Sequence, residues 1–553
     1  MMRYDKLLDS FRRQLNEVEN DLIDELASGR IGRREFLRHG SVLGLSLPLL
    51  GGVAGALGLP MMSRRAMAAG TPGATIRVAS QTPAGAIDPV TIADQGGLLM
   101  LHQTAEFLSI SGPDLRLKPH LALSWTPNND GTVWTFKLRD NVKFHNGKKF
   151  GADDVISSIE RLADPANSSN ALSVFKGTLS KGGCKKVDDL TVDFHLDSAN
   201  GNFPYLISSD NYNCVIIPSD YAGDFEKTFV GTGPFKLEKY TTKSGASFVR
   251  YDDYWGDKAL PDRTVWNFYD SQQAMALALQ GGQVDVIEQV PAVGSQGLLN
   301  DPNLQIISEK SCACEQVHMR VDMAPFNDKR VRQAVALCLN RAAIVKGLFS
   351  GRGQVGNDSP FAPVFPSTDT SVPQREMDIA KAKELLAAAG HPNGFKVTLT
   401  TEKYLELPDY AVIIQNAVKK IGIDIELKVE AQDAYYGKAV FGQSDWLDSI
   451  MAITDYGHRG VPNVLISAPL KSDGPWNAAH FKNKEYDQLV SDYIVAFDLG
   501  AQRAAAGKMQ RLLLDETPII FSYFYDYLTP AKKNLMGIPP TPNRLFLSQA
   551  YFS

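Results

Sequence analysis

Hydrophobic and polar positions alternate with a period of two in several short runs of the chain. Thr132–Arg139 places Trp134, Phe136 and Leu138 on one face, and Leu190–Leu196 encloses Val192 and Phe194 in the same way. Phe395, Val397 and Leu399 alternate, as do Ile423, Ile425, Leu427 and Val429. A two-residue period predicts half-buried strands. Short strands are also predicted at Thr75–Ala79 and Val284–Val290. Between these runs the spacing changes to that of a helix. Val155, Ile156, Ile159 and Leu162 predict an amphipathic helix over Ala152–Leu162. Ser271 can cap a helix over Ala274–Gln280 that Gly281-Gly282 stop, and Asp328 can cap one running through Val331, Ala334, Val335, Cys338 and Leu339. An alanine-rich helix is predicted over Glu376–Ala389, ended by Gly390, and another over Ala411–Ile421. Strands and helices interleave throughout, which predicts α/β lobes and not a bundle or a sandwich. No short-period repeat is visible, which excludes a solenoid or propeller. Long Pro/Gly/Ser-rich connections run over residues 351–373 and 461–475, and loops of that length are often functional.

Composition adds little to this until the N-terminus is set apart. The 553 residues are 44% hydrophobic and 22% charged, a soluble globular balance with room for two or three domains. The net charge is -5, with acids dispersed along the chain. That argues against nucleic acid or an anionic membrane as a general partner. Residues 32–38, Gly-Arg-Arg-Glu-Phe-Leu-Arg, precede an apolar run from Val42 to Pro60 and then Ala66-Met67-Ala68. Charged, apolar and small-residue segments in that order form an export signal. Paired Arg33-Arg34 with Phe36 and Leu37 resembles the twin-arginine motif. Residues 1–68 are therefore expected to be a twin-arginine signal peptide, cleaved after Ala68, with a periplasmic mature protein. The alternative is a permanent anchor, but Pro48, Pro60 and several glycines make the run marginal for a spanning helix. No Cys follows the run, so no lipoprotein anchor is expected.

Catalytic chemistry is not announced by any motif. The chain has no Gly-x-Ser-x-Gly elbow, no His-Glu-x-x-His and no phosphate loop. Gly231-Thr232-Gly233-Pro234 reads as a tight turn entering a strand, because Pro234 lacks an amide that a phosphate cradle would use. His145 sits beside the turn signal Asn146-Gly147 and reads as structural. The five cysteines, Cys184, Cys214, Cys312, Cys314 and Cys338, leave at least one thiol unpaired and the connectivity open. Cys312-Ala-Cys314 lacks a second Cys/His pair at ligand spacing, so no metal and no cofactor are expected.

Many fragments in fixed order then carry a resemblance. They include Leu117-Lys118-Pro119-His120-Leu121-Ala122, the run Asp130–Arg139, Val142–Gly147, Ala152-Asp153-Asp154-Val155, Gly231–Phe235, Tyr254-Trp255-Gly256 and Pro325–Ala334. Ala382, Leu385, Leu386, Ala389 and Gly390, with Ile421-Gly422-Ile423, complete them. The mature chain resembles the bacterial extracellular solute-binding proteins of family 5, the binding components of peptide, oligopeptide and nickel import systems. Each fragment also reads as fold-specifying packing, since function lives in the site and not in the fold. The resemblance implies a two-lobed periplasmic-binding-protein-like α/β fold of type II, with an extra inserted domain and a ligand cleft between the lobes. Residues 70–112, 231–315 and 517–553 are expected in lobe one, 113–230 in the inserted domain and 316–516 in lobe two. It implies a monomer that captures a peptide or peptide-like solute without catalysis and delivers it to ABC permease subunits of the inner membrane. Two other readings stay open: a binder of a nickel chelate, sugar or opine-like compound, and a twin-arginine-exported cofactor enzyme.

The resemblance also nominates a site. Peptide-binding members place an Asp opposite the ligand's α-amino group, in a segment matching Asp455-Tyr456-Gly457-His458-Arg459 and followed by a piece matching Trp476-Asn477-Ala478-Ala479-His480-Phe481. Asp455 takes that role here; the alternative is a turn cap or a pair with Arg459. Arg459 is a candidate contact for a ligand anion or an internal partner of Asp455. Trp446, Tyr456 and Trp476 are candidate apolar walls, with core packing as the alternative. Tyr435 and Tyr436 are weaker candidates, and Gln95–Met100 is a candidate facing segment from lobe one. Two departures stand out: Ala452 where peptide binders often carry Trp, and Ser449 where oligopeptide binders carry Arg.

Overall fold

The structure, a computed structural model, describes Ile23, residues 73–541 and residues 544–553. The expected signal and its cleavage site lie outside the described residues apart from Ile23. Among the described residues the strands form three larger sheets. In the first, seven strands run in the order 235–241, 245–250, 263–269, 75–81, 286–287, 527–532 and 304–309. The second has five strands in the order 424–430, 396–402, 451–456, 314–319 and 519–521. The third is a four-stranded antiparallel sheet in the order 122–127, 133–138, 191–195 and 184–188.

Each sheet follows from the sequence periods. In the four-stranded sheet, Phe136 and Phe194 point to one side and meet edge to face at 5.2 Å. The helix Ala152–Ala163 buries Val155, Ile159 and Leu162 against them. This small layer lies within the segment expected as the inserted domain. In the first sheet, Thr75–Gln81 is parallel to Arg263–Tyr269 and to Val286–Ile287, while Tyr527–Lys532 is antiparallel to Leu304–Glu309. Gln95–Thr104 packs its apolar residues on this sheet; Asp94 caps it by accepting from Gly97 N at 2.9 Å. In the second sheet, helices Lys329–Leu337, Ile379–Ala388 and Leu407–Lys419 share one core with Val317, Met319, Met451 and Ile453. Residues of Lys484–Val495 and Leu499–Glu516 share another with Cys314, Ala452 and Tyr456. The two lobes are thus organised around separate sheets.

Several expectations are met at the level of single caps. Ser271 Oγ accepts from Ala274 N at 3.2 Å and opens Gln272–Gln280. Asp328 caps Lys329–Leu337 by accepting from Arg330 N at 2.9 Å. The helix expected from Glu376 begins instead at Ile379, because Asp378 is the residue whose carboxylate accepts from Lys381 N, at 2.8 Å. The strand expected over Val284–Val290 shortens to Val286–Ile287, flanked by Asp285 N bonding Arg77 O and Glu288 N bonding Ala79 O. Gly231 and Gly233 do enter a strand through a turn; an added Cβ at Gly231 would stand 2.0 Å from Thr104 O. His145 bonds the same turn, its Nε2 2.9 Å from Gly233 O. All five thiols are buried and free of disulfides.

One boundary differs from the expected one. The sequence places residues 517–553 in lobe one, yet Ile519–Phe521 pairs with Gln316–His318 in the second sheet. Its run of large apolar residues is buried on both sides, as an inner layer requires. The chain crosses between the sheets at residues 310–313 and again at 522–526. These crossings are tied together: Tyr525 N donates to Ala313 O at 3.0 Å and Ser311 Oγ donates to Tyr525 O at 2.5 Å.

Candidate functional site

A cleft of about 500 Å³ opens beside these crossings. The first sheet and its helices supply Gln81, Gln95, Gln272, Glu288 and Gln289, and the second lobe supplies Phe349, Tyr404, Glu406, Asp455 and Gly457. Tyr525, Asp526 and Tyr527 line it from the crossing itself.

Strand alternation decides which side chains reach this space. Asp455 lies on the edge of the cleft at the end of Met451–Tyr456, paired in register with Glu315 on the neighbouring antiparallel strand. Residues directly opposite in such a pair project to the same face. Asp455 and Glu315 therefore stand side by side, and Glu406 at the start of Leu407–Lys419 completes a group of three carboxyls. Tyr525 Oη donates to Asp455 Oδ1 at 2.8 Å. Glu315 is buried between the other two carboxyls and hydrogen-bonds both Asp455 and Glu406, which requires a proton on the group. Glu402, next along, is satisfied: Tyr436 Oη donates to it at 2.7 Å and Gln432 Nε2 at 2.6 Å.

Such crowding works against ionisation. Burial is the largest influence on Asp455 and raises it to about 6, with the Glu402 charge adding to the rise and the Tyr525 hydroxyl opposing it. Burial lifts Glu406 to about 7, helped by Asp455. Glu315 is pushed well above the carboxylate range by burial and then by Asp455 and Glu406. Across the cleft, burial raises Glu288 to about 7, although Gln81 N and Ser80 Oγ donate to it at 2.7 and 3.0 Å. Removing charged carboxylates from water is costly without a compensating cation. The cleft is thus a place where a positive group would be welcomed.

Comparison with known proteins fits this geometry. Residues 116–457 match the family described as bacterial extracellular solute-binding proteins, family 5 Middle. The chain belongs to this family. Heme-binding protein A of Haemophilus influenzae is 27% identical over 468 residues, covering 76% of this chain and 82% of that protein. Di/tripeptide-binding protein 1 of Pseudomonas aeruginosa is 27% identical over 433 residues, covering 73% and 80%. Among solved structures, the ABC transporter-associated periplasmic binding protein DppA of Helicobacter pylori, in complex with the peptide STSA, aligns with a TM-score of 0.68 at 25% identity, covering 87% of this chain and 98% of that one.

In this family 5 protein the residues nominated from sequence fall into two groups. Asp455 and Gln95 line the cleft. Tyr456, Trp446 and Trp476 do not; they form an aromatic group on the opposite face of the second sheet, with ring centroids 6.0 Å apart for Tyr456–Trp476 and 6.4 Å for Trp446–Trp476. The reason is the two-residue period, which sends Tyr456 away from its neighbour Asp455. Tyr435 is buried in the same core, and Tyr436 packs on Trp446 at 5.4 Å while bonding Glu402. Arg459 turns back on its own loop, donating to His458 O at 2.8 Å and Gly457 O at 3.4 Å, and makes no ion pair with Asp455, although its charge lowers that carboxyl. Asn477 braces its loop, donating to Phe481 O at 2.7 Å and Lys471 O at 2.9 Å.

Family 5 resemblance and composition alone missed Glu288, Glu315, Glu406, Phe349, Tyr404 and Tyr525. A signal for Glu315 was present: a single acid between Cys314 and the apolar alternation Val317, Met319. The others come together only through the fold.

Proposed function

We propose that this chain is an exported receptor that captures a small peptide or peptide-like solute by its amino group and delivers it to an ABC permease. Asp455 is the anchor for the ammonium, Tyr525 orients its carboxylate, and the glutamines and aromatics of the cleft hold the remainder. The observation that carries this is the buried, mutually repelling carboxyl group of Asp455, Glu315 and Glu406 at the edge of an interlobe cleft. Family membership supports a binding role over catalysis, and the peptides named for relatives support the ligand class. The division into lobe one, inserted domain and lobe two, with the second-sheet strand at 519–521 moved to lobe two, gives the scaffold that closes on the solute. Residues 1–68 act as the twin-arginine signal, and the mature protein works as a periplasmic monomer.

Isothermal titration of the purified protein against a panel of short peptides, opines, sugars and metal chelates tests this. A peptide or amine is expected to bind wild type, and Asp455→Ala is expected to weaken it by about 2–5 kcal/mol, the usual cost of orphaning one partner of a buried charge pair. Tight binding of a sugar or metal chelate, indifferent to Asp455→Ala, would discard the amino-group reading. The receptor role itself would survive that result.

A further inference from the structure

We infer that Tyr404 and Leu405 form a specificity-determining lip of the cleft, which takes an apolar side chain on the ligand residue whose amino group is captured. This rests on the proposed capture of an ammonium group at Asp455 and names the side chain beside it. Both residues line the cleft, yet they are 37% and 38% exposed. Among the described residues, neither joins a hydrophobic core cluster of the second lobe. The other large apolar rings of the lining, Phe349, Tyr525 and Tyr527, are buried or half-buried. Large apolar side chains left open to water inside a concave site are what an apolar part of a ligand covers.

The chain holds this pair outward from both ends. Before it, Glu402 closes the strand 396–402 fully buried, and Lys403 N donates to Glu430 O at 2.7 Å. After it, Glu406 and Leu407 are buried at the start of Leu407–Lys419, and Leu407 N donates to Tyr404 O at 3.1 Å. Leu405 sits between these anchors with φ at +40°, a left-handed backbone that side chains disfavour. Glycine would suit that turn better than a bulky residue, and strain of this kind persists where a side chain serves a site. The position of Asp455 decides which part of the ligand arrives here. The Tyr404 hydroxyl is raised first by burial and next by the charge of Asp455, so the polar end of the ring lies near the anchor. The body of that ring and Leu405 then flank the first side chain of a bound peptide. Val290 and Pro291 add apolar lining to the same cavity from lobe one.

The test is a matched pair, Leu-Ala-Ala against Gly-Ala-Ala, titrated calorimetrically into the purified full chain. The leucine peptide is expected to bind at least about tenfold more tightly, as burial of its side chain requires. Leu405→Gly keeps a backbone suited to the turn, and circular dichroism checks its fold. In that variant the ratio is expected to narrow at least about threefold, with the loss falling on the leucine peptide. Tyr404→Ser is expected to narrow it in the same direction. Equal affinities for the two peptides in wild type, both lost in Asp455→Ala, would overturn the lip and leave the amino-group reading standing. A ratio unchanged in both lip variants would overturn the assignment of these residues. Equal weakening of both peptides in Leu405→Gly would do the same, since the pair would then close on lobe one and not on the ligand. Failure of both peptides to bind wild type would sink this inference together with the amino-group reading.

Discussion

Glu315 is a side chain whose environment gives it no reason to be ionised. It is fully buried, Asp455 faces it across one strand pair, and as the protonated acid it hydrogen-bonds Asp455 and Glu406. In the unfolded chain the same group ionises near the ordinary glutamate value of about 4.3. A folded pKa above the unfolded one means that the native state binds more protons, so stability is full below the unfolded value and is lost as pH rises. Asp455 and Glu406, raised to about 6 and about 7, push in the same direction. Buried His102 and His458, lowered to about 4 and about 3, push the other way between those values and 6.5. Comparing a variant with wild type isolates the carboxyl contribution. Glu315→Gln is expected to raise Tm by roughly 4 °C or more at pH 8, at about 2–4 °C per kcal/mol for a large domain. The gain should shrink to near zero at about pH 3, below the unfolded value, where wild-type Glu315 is protonated in both states. A gain equal at both pH values would show that the burden on Glu315 is packing and not charge.

At the scale of elements, alternation and caps were legible, and the site was legible in part. Ser271, Asp328 and Gly231-Thr232-Gly233-Pro234 do what their local chemistry demands, because a cap or a tight turn needs only its own neighbours. The place of Asp455 at the cleft was recoverable from its segment. Its expected aromatic companions were not, since Tyr456 follows it directly in an extended strand and must face the other way. The same rule, applied to the sequence, separates the two. Glu315 and Glu406 sit 140 and 49 positions from Asp455 and meet it only through sheet register and a helix start. Trp446 illustrates the core alternative. It is 7% exposed, meets Tyr436 edge to face and Trp476 at a tilt, and shares their core with Leu447. Trp446→Ala is expected to cost about 3–5 kcal/mol in urea denaturation, as large aromatic truncations do. Ligand affinity of the folded variant should stay within about twofold. A large affinity loss with unchanged stability would return Trp446 to the cleft.

For the molecule as a whole, the loop that follows the strands of the four-stranded sheet is bonded to the helices that pack on the second sheet. Asn202 Nδ2 donates to Asn463 Oδ1 at 2.9 Å, and Gln502 Nε2 donates to Asn202 Oδ1 at 3.0 Å. Gly201 N also donates to Ile494 O at 2.8 Å. Asn202→Ala would take the donor from Asn463 Oδ1 and leave Gln502 Nε2 with Ala496 O alone, and is expected to destabilise by about 1–3 kcal/mol. A change under about 0.5 kcal/mol would mean that water replaces the lost amide.

The order of strands in the first sheet also bears on how the protein is made. Thr75–Gln81 is laid down early, yet the sheet is finished by Tyr527–Lys532, which joins Val286–Ile287 to Leu304–Glu309. A ribosome adding about 5–20 residues per second delivers those two strands roughly 20–90 s apart. Throughout that interval the nascent sheet has an open edge, a surface that chaperones bind and other chains can pair with. Secretion machinery that threads the chain during synthesis would meet the unfinished sheet, whereas one that waits for release would carry the completed lobe.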